Sequence, residues 1–284
     1  MAIFSRSTGA LLVGLLLLPG TVLATVRSQA SLNDFTIELV DLRPEDGLAP
    51  SIRFVGEGEP PFSAFVTGRV SIQSMPGGSD IYTEYFNNSG ATAPFSDAAG
   101  TAAYGGTTAY AALTVGDKAL GPHQLLAIGT ASASGPGIEA QYFATTNAPS
   151  YLAQIFEVSP YTLAVFKGHA DVFATVDAAS TDAAASGFIE LFANGVGASG
   201  TPGTSQISRD RSAIDASTGQ FRSVTQAMSV SFRNDSAQPL SGLVKATVYV
   251  TGREAIALVP EPESVALVLG GLTVLALRGR RSQQ

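Results

Sequence analysis

Carboxylates are the side chains with the clearest chemical potential in this sequence. Asp41, Glu45 and Asp46 surround a segment rich in turn-forming residues, and Glu57 and Glu59 follow a short distance along the chain. Oxygen-rich loops bind Ca²⁺, although this spacing is not that of an EF-hand. We therefore state a calcium hypothesis for Asp41, Glu45 and Asp46, with acids that are only solvated as the favoured alternative.

Other catalytic chemistry has little support from residue types or spacing. His123 and His169 are the only histidines and stand 46 residues apart, which is not a metal-binding spacing. Cysteine is absent, which excludes disulfides, thiolate zinc sites and cysteine nucleophiles. The sequence has no nucleophile elbow, phosphate-binding loop or dinucleotide fingerprint. We expect a protein without cofactor or catalysis, and a hydrolase with two distant carboxylates is the remaining enzymatic alternative.

Aromatic side chains could stack against sugar rings. Tyr82, Tyr85 and Phe86 lie close together in the sequence, and Tyr104 and Tyr110 follow. Packing between neighbouring strands is the more common role of such residues, and we favour it here. A carbohydrate-binding module is the alternative function.

Alternating apolar residues predict that β-strands, and the turns between them, position the candidate acids and aromatic residues. The clearest examples are 35–41, 64–72, 163–176, 224–232 and 244–251. Clusters of Gly, Pro, Asn and Ser separate them, as between antiparallel strands. We predict an all-β fold, an antiparallel β-sandwich of jelly-roll-like form, in one domain over residues 25–258. The pattern breaks near 146–150, so a body divided there into two halves is the alternative to one domain. Residues 178–185 are predicted as a loop or a single turn.

The charge distribution excludes one class of partner. Charged residues make up 14% of the chain, against roughly 25% in ordinary soluble proteins. Each end carries one net positive charge, so the segment between them has a net charge of −9 where the whole chain has −7. Affinity for nucleic acid comes mostly from neutralising phosphates. We expect no nucleic-acid partner.

The first 24 residues have the layout of a secretory signal peptide. Arg6 supplies the positive start, an apolar run covers 10–18, and small residues precede a cleavage site at Ala24. The run is short for a membrane-spanning helix. Residues 1–24 are therefore predicted to direct export through the secretion translocon.

The last 26 residues form a three-part tail. Val259, Pro260, Glu261, Pro262 and Glu263 open it, an apolar run of 13 residues follows at 265–277, and Arg278, Arg280 and Arg281 close it. As a helix the run reaches only about 20 Å, against a hydrocarbon core of about 30 Å. The arginines should stay on the cytoplasmic side. We expect a temporary stop in the inner membrane next to an exposed processing site, with a permanent anchor as the alternative.

This tail resembles the PEP-CTERM sorting signal, through its Pro-Glu-Pro motif, its short hydrophobic helix and its terminal arginines. The resemblance implies a Gram-negative host and recognition by an exosortase, a membrane-embedded enzyme that acts at or near the motif. It also implies a link to exopolysaccharide and biofilm matrix. We accordingly expect a noncatalytic protein of the cell surface or extracellular matrix, with exopolysaccharide as a candidate partner.

Overall fold

The computed structural model describes residues 25–54, 65–75, 77–89, 97–115, 122–148, 154–177, 182–195 and 207–256. Apart from a single 3₁₀ turn at Pro44–Asp46, the regular structure in these ranges is β-strand. The strands are β1 (Val26–Asp41), β2 (Ile52–Phe54), β3 (Phe65–Ser74), β4 (Ser79–Ser89), β5 (Ala98–Tyr104), β6 (Thr107–Val115), β7 (Pro122–Ala131), β8 (Ile138–Ala148), β9 (Gln154–Val158), β10 (Thr162–Val176), β11 (Asp182–Gly195), β12 (Ile207–Ser217), β13 (Phe221–Asn234) and β14 (Leu240–Ala255).

The alternation of apolar and polar residues in the sequence matches the alternation of buried and exposed side chains along the observed strands. In β10, Ala164, Phe166 and Val172 are buried while Lys167 and His169 are exposed. The same inward and outward period repeats along β13 and β14. Since successive side chains of a strand point to opposite faces, each strand buries one apolar side and leaves the other polar. The predicted all-β class with antiparallel sheets is confirmed.

Two antiparallel sheets face each other across one hydrophobic core. The first sheet has the strand order β13-β10-β1-β7-β6-β5, and the larger sheet has the order β12-β11-β14-β8-β3-β4, with β9 and β2 continuing beside β14. Across the core β13 faces β12, β1 faces β14 and β5 faces β4, so the two sheets are aligned from one edge to the other. The predicted sandwich is therefore present in the described ranges.

The first and last strands lie at the centres of the two sheets. β1 is hydrogen-bonded between β10 and β7, and β14 is hydrogen-bonded between β11 and β8. β1 begins where β14 ends: Ser28 Oγ donates to the carbonyl of Thr251 at 3.4 Å. Thr25, which precedes β1, is also held by the Asp177 carboxylate at the end of β10. Both ends of the described body therefore leave the sandwich at the same end.

Large aromatic side chains in the core occupy notches made by glycine. The Tyr142 ring lies between Gly129 of the facing sheet and Gly252 of the neighbouring strand, where a Cβ atom would come within 1.9 and 2.4 Å of it. Phe86 fills a similar notch beside Gly68 and Gly100. Glycine weakens a strand interior in general, and a ring packed over it restores the missing contacts.

Polar side chains close the open edges of the sandwich. On one side Glu84 of β4 accepts the N–H of Ala103 at 3.1 Å. On the other side Asp210 of β12 accepts the N–H of Ser229 at 2.8 Å. Edge strands present unpaired backbone groups that invite aggregation. These carboxylates occupy some of those groups and join the two sheets at their borders.

The structure differs from the sequence prediction in two places. Residues 182–185, predicted as part of a loop or turn, begin β11, with Ala183 and Ala185 buried in the core. β1 starts at Val26, nine residues before the alternation recognised at Phe35. In both segments small or polar residues occupy the strand, and pairing with neighbours outweighs their low intrinsic preference for it.

Candidate functional site

The outer face of the larger sheet carries an open groove across β12, β11, β14 and β8. Two adjoining depressions of about 340 and 430 Å³ make it up, and both are lined by Ser186 and Asp215. The groove forms because small side chains occupy outward-facing positions of these strands and leave space above the sheet. Examples are Ala184, Ala213 and Thr251. Each depression falls within the size range of ligand pockets, about 300–1,000 Å³. We call this feature the sheet-face groove.

One half of the sheet-face groove has an aromatic wall. Tyr249 lies directly opposite Phe188 in the register of β14 and β11. The Tyr249 ring also packs edge to face against Phe143 of β8, with 5.3 Å between ring centroids. Rings in such pairs hold each other in place. The aromatic wall is therefore a fixed apolar surface on an otherwise polar face.

A guanidinium group lies beside this wall. Arg211 of β12 stands over the Phe188 ring, 4.4 Å from its centroid, a cation–π contact. Glu190, the residue opposite Arg211 in the register, forms its ion pair with Arg209 instead, at 2.8 Å. The N–H groups of Arg211 are consequently not taken up by that carboxylate.

The other half of the groove is polar. Asp215 and Ser186 lie opposite each other, and Gln141, Glu139 and Arg253 line the far side. Glu139 accepts the amide N–H of Gln141 at 2.9 Å, and Arg253 pairs with Asp182 at 3.0 Å. No hydrogen bond or ion pair with another described residue engages the Asp215 carboxylate. Of the two groove acids, Asp215 is exposed and Glu139 is mostly buried, at 8% exposure.

The tyrosines singled out in the sequence are not brought together as a binding surface. Tyr82 and Tyr104 stack on each other with 4.0 Å between ring centroids, so each covers one face of the other ring. Phe86 is buried in its glycine notch, and Tyr110 lies half-buried on the outer face of the smaller sheet. Tyr85 alone of the five is strongly exposed, at 69%, on β4. For Tyr82 and Phe86 the favoured packing role is confirmed, whereas Tyr104 stacks on Tyr82 and remains 43% exposed.

The acids of the calcium hypothesis have local structural roles. Asp41 accepts the backbone N–H of Arg43 at 2.7 Å, and Asp46 accepts that of Leu48 at 2.7 Å, as in short Asx turns. Glu45 lies in the 3₁₀ turn between them. In the part of the chain that the structure describes, no group of three or more His, Asp or Glu side chains is arranged to hold a metal ion. The calcium hypothesis gains no geometric support.

The predicted export and sorting residues lie outside the described ranges. These are Ala24 at one end, and Val259, Pro260, Glu261, Pro262, Glu263, Arg278, Arg280 and Arg281 at the other. The predicted hydrophobic helix over 265–277 also falls outside them. Among the described residues, no helix has the length and apolar character needed to cross a membrane.

Sequence reasoning missed every residue of the sheet-face groove. Tyr249 lies in the predicted strand 244–251, whereas Phe188 lies in none of the predicted strands, and the sequence separates the two by 61 positions. Only the pairing of β11 with β14 makes them neighbours. The one usable signal was an aromatic residue at an outward position of a strand whose other outward residues are small or polar, because such positions normally face water.

Two comparisons with known proteins give no relative on which to base a function. No protein-family model matches the chain. The search of curated proteins likewise returned no significant match.

Proposed function

We propose that this chain is a noncatalytic exported protein of the cell surface or extracellular matrix, sorted through a PEP-CTERM tail. In this proposal residues 1–24 direct export through the translocon, and Ala24 ends the signal. The short run at 265–277 holds the chain briefly in the inner membrane of a Gram-negative host. An exosortase then acts near Pro260, Glu261 and Pro262.

The observation that carries the proposal is the position of the two ends of the described body, next to the predicted signal and sorting segments. Thr25, next to the predicted cleavage site, lies at the end of the sandwich where β14 finishes at Ala255. A body held through its C-terminal end would then turn the opposite end of the sandwich outward. The turns at 159–161 and 234–239, with the connection over 41–51, belong to that opposite end. This arrangement suits a body displayed outward from a membrane.

Mass spectrometry of the exported protein, with and without the sorting enzyme, tests the sorting route. We expect a mature N-terminus after Ala24 and loss of the terminal arginines only when the enzyme is present. An extracellular product that retains Arg278, Arg280 and Arg281 would overturn the route. A full-length product found only in the cytoplasm would overturn export itself.

A second candidate function, recognition of a polysaccharide, is favoured by the sheet-face groove. Its aromatic wall beside free polar groups is the combination that sugars require, since a pyranose ring has an apolar C–H face and polar hydroxyl edges. This agrees with the exopolysaccharide link that the tail implies. We also propose that the sandwich is jelly-roll-like, because the chain passes between its two sheets repeatedly.

Product analysis tests the noncatalytic part of the proposal. The groove holds two carboxylates, Glu139 and Asp215, so hydrolysis is the reaction to exclude. Incubation of the purified protein with the host exopolysaccharide should release no new reducing ends. Release that disappears in Asp215→Asn and Glu139→Gln would show a hydrolase instead.

A further inference from the structure

The sheet-face groove holds hydrogen-bonding groups that the protein itself leaves unused. The Asp215 carboxylate and the Ser186 hydroxyl make no side-chain hydrogen bond within the described ranges, and they lie opposite each other on β12 and β11. Arg211 stands over Phe188 rather than in an ion pair with Glu190. One acceptor, one hydroxyl and one donor therefore lie on the β11 and β12 side of Tyr249.

We propose that the sheet-face groove is the binding site for an internal segment of a neutral, extended polysaccharide. A sugar ring lies against Tyr249, and its hydroxyl groups bond to Asp215, Ser186 and Arg211. Phe188 acts as a positioning residue, because its ring fixes the guanidinium of Arg211 beside the wall. The proposal rests on the second candidate function and names its ligand class and its site.

The shape of the groove favours a chain over a single sugar. The two depressions adjoin at Ser186 and Asp215, and they run across four neighbouring strands of one sheet. Both are open to solvent along the sheet face, so a polymer could enter and leave at either side. A site for a small molecule usually encloses most of its ligand, and this groove does not.

Charge favours a neutral polysaccharide over an acidic one. Arg211 and Arg253 balance Asp215 and Glu139 in the groove lining, and Arg253 is already paired with Asp182. The body around the groove carries a net charge of −9. The negative charge of the body would repel a polyanion, and the groove has no surplus of cations to offset that repulsion. Affinity from stacking and hydroxyl bonds should also depend little on salt.

Calorimetric titration of the purified full chain in mild detergent tests the proposal. The probes are cellohexaose, laminarihexaose and mannohexaose as neutral chains, with hexagalacturonate as the acidic comparison. We expect saturable binding of at least one neutral hexasaccharide and none of hexagalacturonate. Tyr249→Ala and Asp215→Asn should each weaken binding at least tenfold. Tyr249→Phe, which keeps the ring, should retain most of the affinity.

Tyr85→Ala is the matched control, because Tyr85 is an exposed tyrosine outside the groove on the same sheet. Its affinity should stay within twofold of the unaltered protein. Far-UV circular dichroism of each variant checks the fold, and Asp215→Asn is an exposed change that leaves the core intact. Absence of binding to every neutral probe, preference for hexagalacturonate, or unchanged affinity in Asp215→Asn would each overturn the proposal. None of these results bears on export, which the mass spectrometry decides separately.

Discussion

At the scale of the residue, a buried phenol links the two sheets. The hydroxyl groups of Tyr142 and Ser28 are 2.6 Å apart in the core, and Ser28 can donate onward to the carbonyl of Thr251 at 3.4 Å. That arrangement makes Tyr142 the donor to Ser28, which requires its proton. Burial raises the pKa of Tyr142 well above its usual value, and the hydrogen bond with Ser28 opposes this only in part. The phenol is therefore neutral in the folded protein.

Replacing Tyr142 with Phe should change how stability depends on pH. The unfolded chain releases the Tyr142 proton above about pH 10, whereas the folded chain retains it. The contribution of the Tyr142 phenol to the free energy of unfolding is therefore complete below about pH 10, and it is lost as the pH rises further. When urea unfolding is measured from pH 8 to 11, the free energy of unfolding should fall less steeply with pH for Tyr142→Phe than for the unaltered protein. At pH 8 the variant should lose about 1 kcal/mol with the hydrogen bond.

Tyr85→Phe provides the comparison, because Tyr85 is exposed. Its alkaline decline should match that of the unaltered protein. An alkaline decline in Tyr142→Phe as steep as in the unaltered chain would contradict the account of a buried neutral phenol.

Gly129 should tolerate no side chain. A Cβ atom there would lie 1.9 Å from Cδ2 of Tyr142, so the ring or the facing strand must move. Gly129→Ala should cost about 1–3 kcal/mol in the free energy of unfolding, as overpacked core positions do. Gly135→Ala is the control, since a Cβ atom at Gly135 meets nothing within 4 Å. Equal urea midpoints for the two variants would show that the core can move aside at no cost.

At the scale of the element, edge strands explain several polar residues that have no part in the groove. β12 and β13 belong to different sheets, and a tight turn at 218–219 joins them. Side chains bridge the border in both directions, because Gln226 donates to the carbonyl of Arg211 at 3.2 Å while Asp210 accepts from Ser229. Closing an edge in this way removes a template for pairing with another chain.

Asp210→Ala should open that edge. We expect a loss of about 1 kcal/mol in the free energy of unfolding, because the N–H of Ser229 loses its acceptor. Light scattering on heating should also show earlier aggregation. Asp210→Asn keeps one oxygen acceptor and should lie between Asp210→Ala and the unaltered protein. Identical scattering onsets for all three would mean that the carboxylate does not protect the edge.

At the scale of the whole molecule, the central positions of β1 and β14 tie the fold to its two termini. Each terminal strand pairs on both sides and faces the other across the core. The chain must therefore present β14 before the larger sheet is complete, and that sheet faces the one built around β1. Contacts between such distant segments make for slow folding.

A circular permutant tests the closeness of the chain ends. A short Gly-Ser linker should join Ile256 to Thr25, with new ends between Gly105 and Gly106 in an exposed turn. Because Thr25 and Ile256 lie at the same end of the sandwich, we expect cooperative unfolding with a Tm within about 5 °C of that of the unpermuted body, residues 25–256. Differential scanning calorimetry measures this.

The control for the permutant is a chain that stops at Pro239 and so lacks β14. It should fail to unfold cooperatively, because a central strand of the larger sheet is missing. A cooperative transition in the truncated chain, or its absence in the permutant, would refute this account of the two ends.

The sequence alone determined the β class and predicted β3, β10, β13, β14 and the second half of β1, whereas β4, β7, β8, β12 and most of β11 were not predicted. Alternation in β10, β13 and β14 was legible because bulky apolar residues fill one side of each strand. β5, β6 and the start of β11 were harder to recognise, since Ala, Gly and Thr give weak alternation. The signal and sorting segments are also predictions from sequence, because their order of charge, apolar run and motif is local.

Tertiary structure alone decided the candidate binding site and the glycine notches. Tyr249, Phe188 and Asp215 become neighbours only through the pairing of β14 with β11 and of β11 with β12. Gly129 meets Tyr142 only because two sheets pack face to face. Local pattern specifies which side of a strand is apolar, but the choice of neighbouring strand depends on contacts between residues far apart in the chain. For that reason a single sequence predicted the sheets and not the groove upon them.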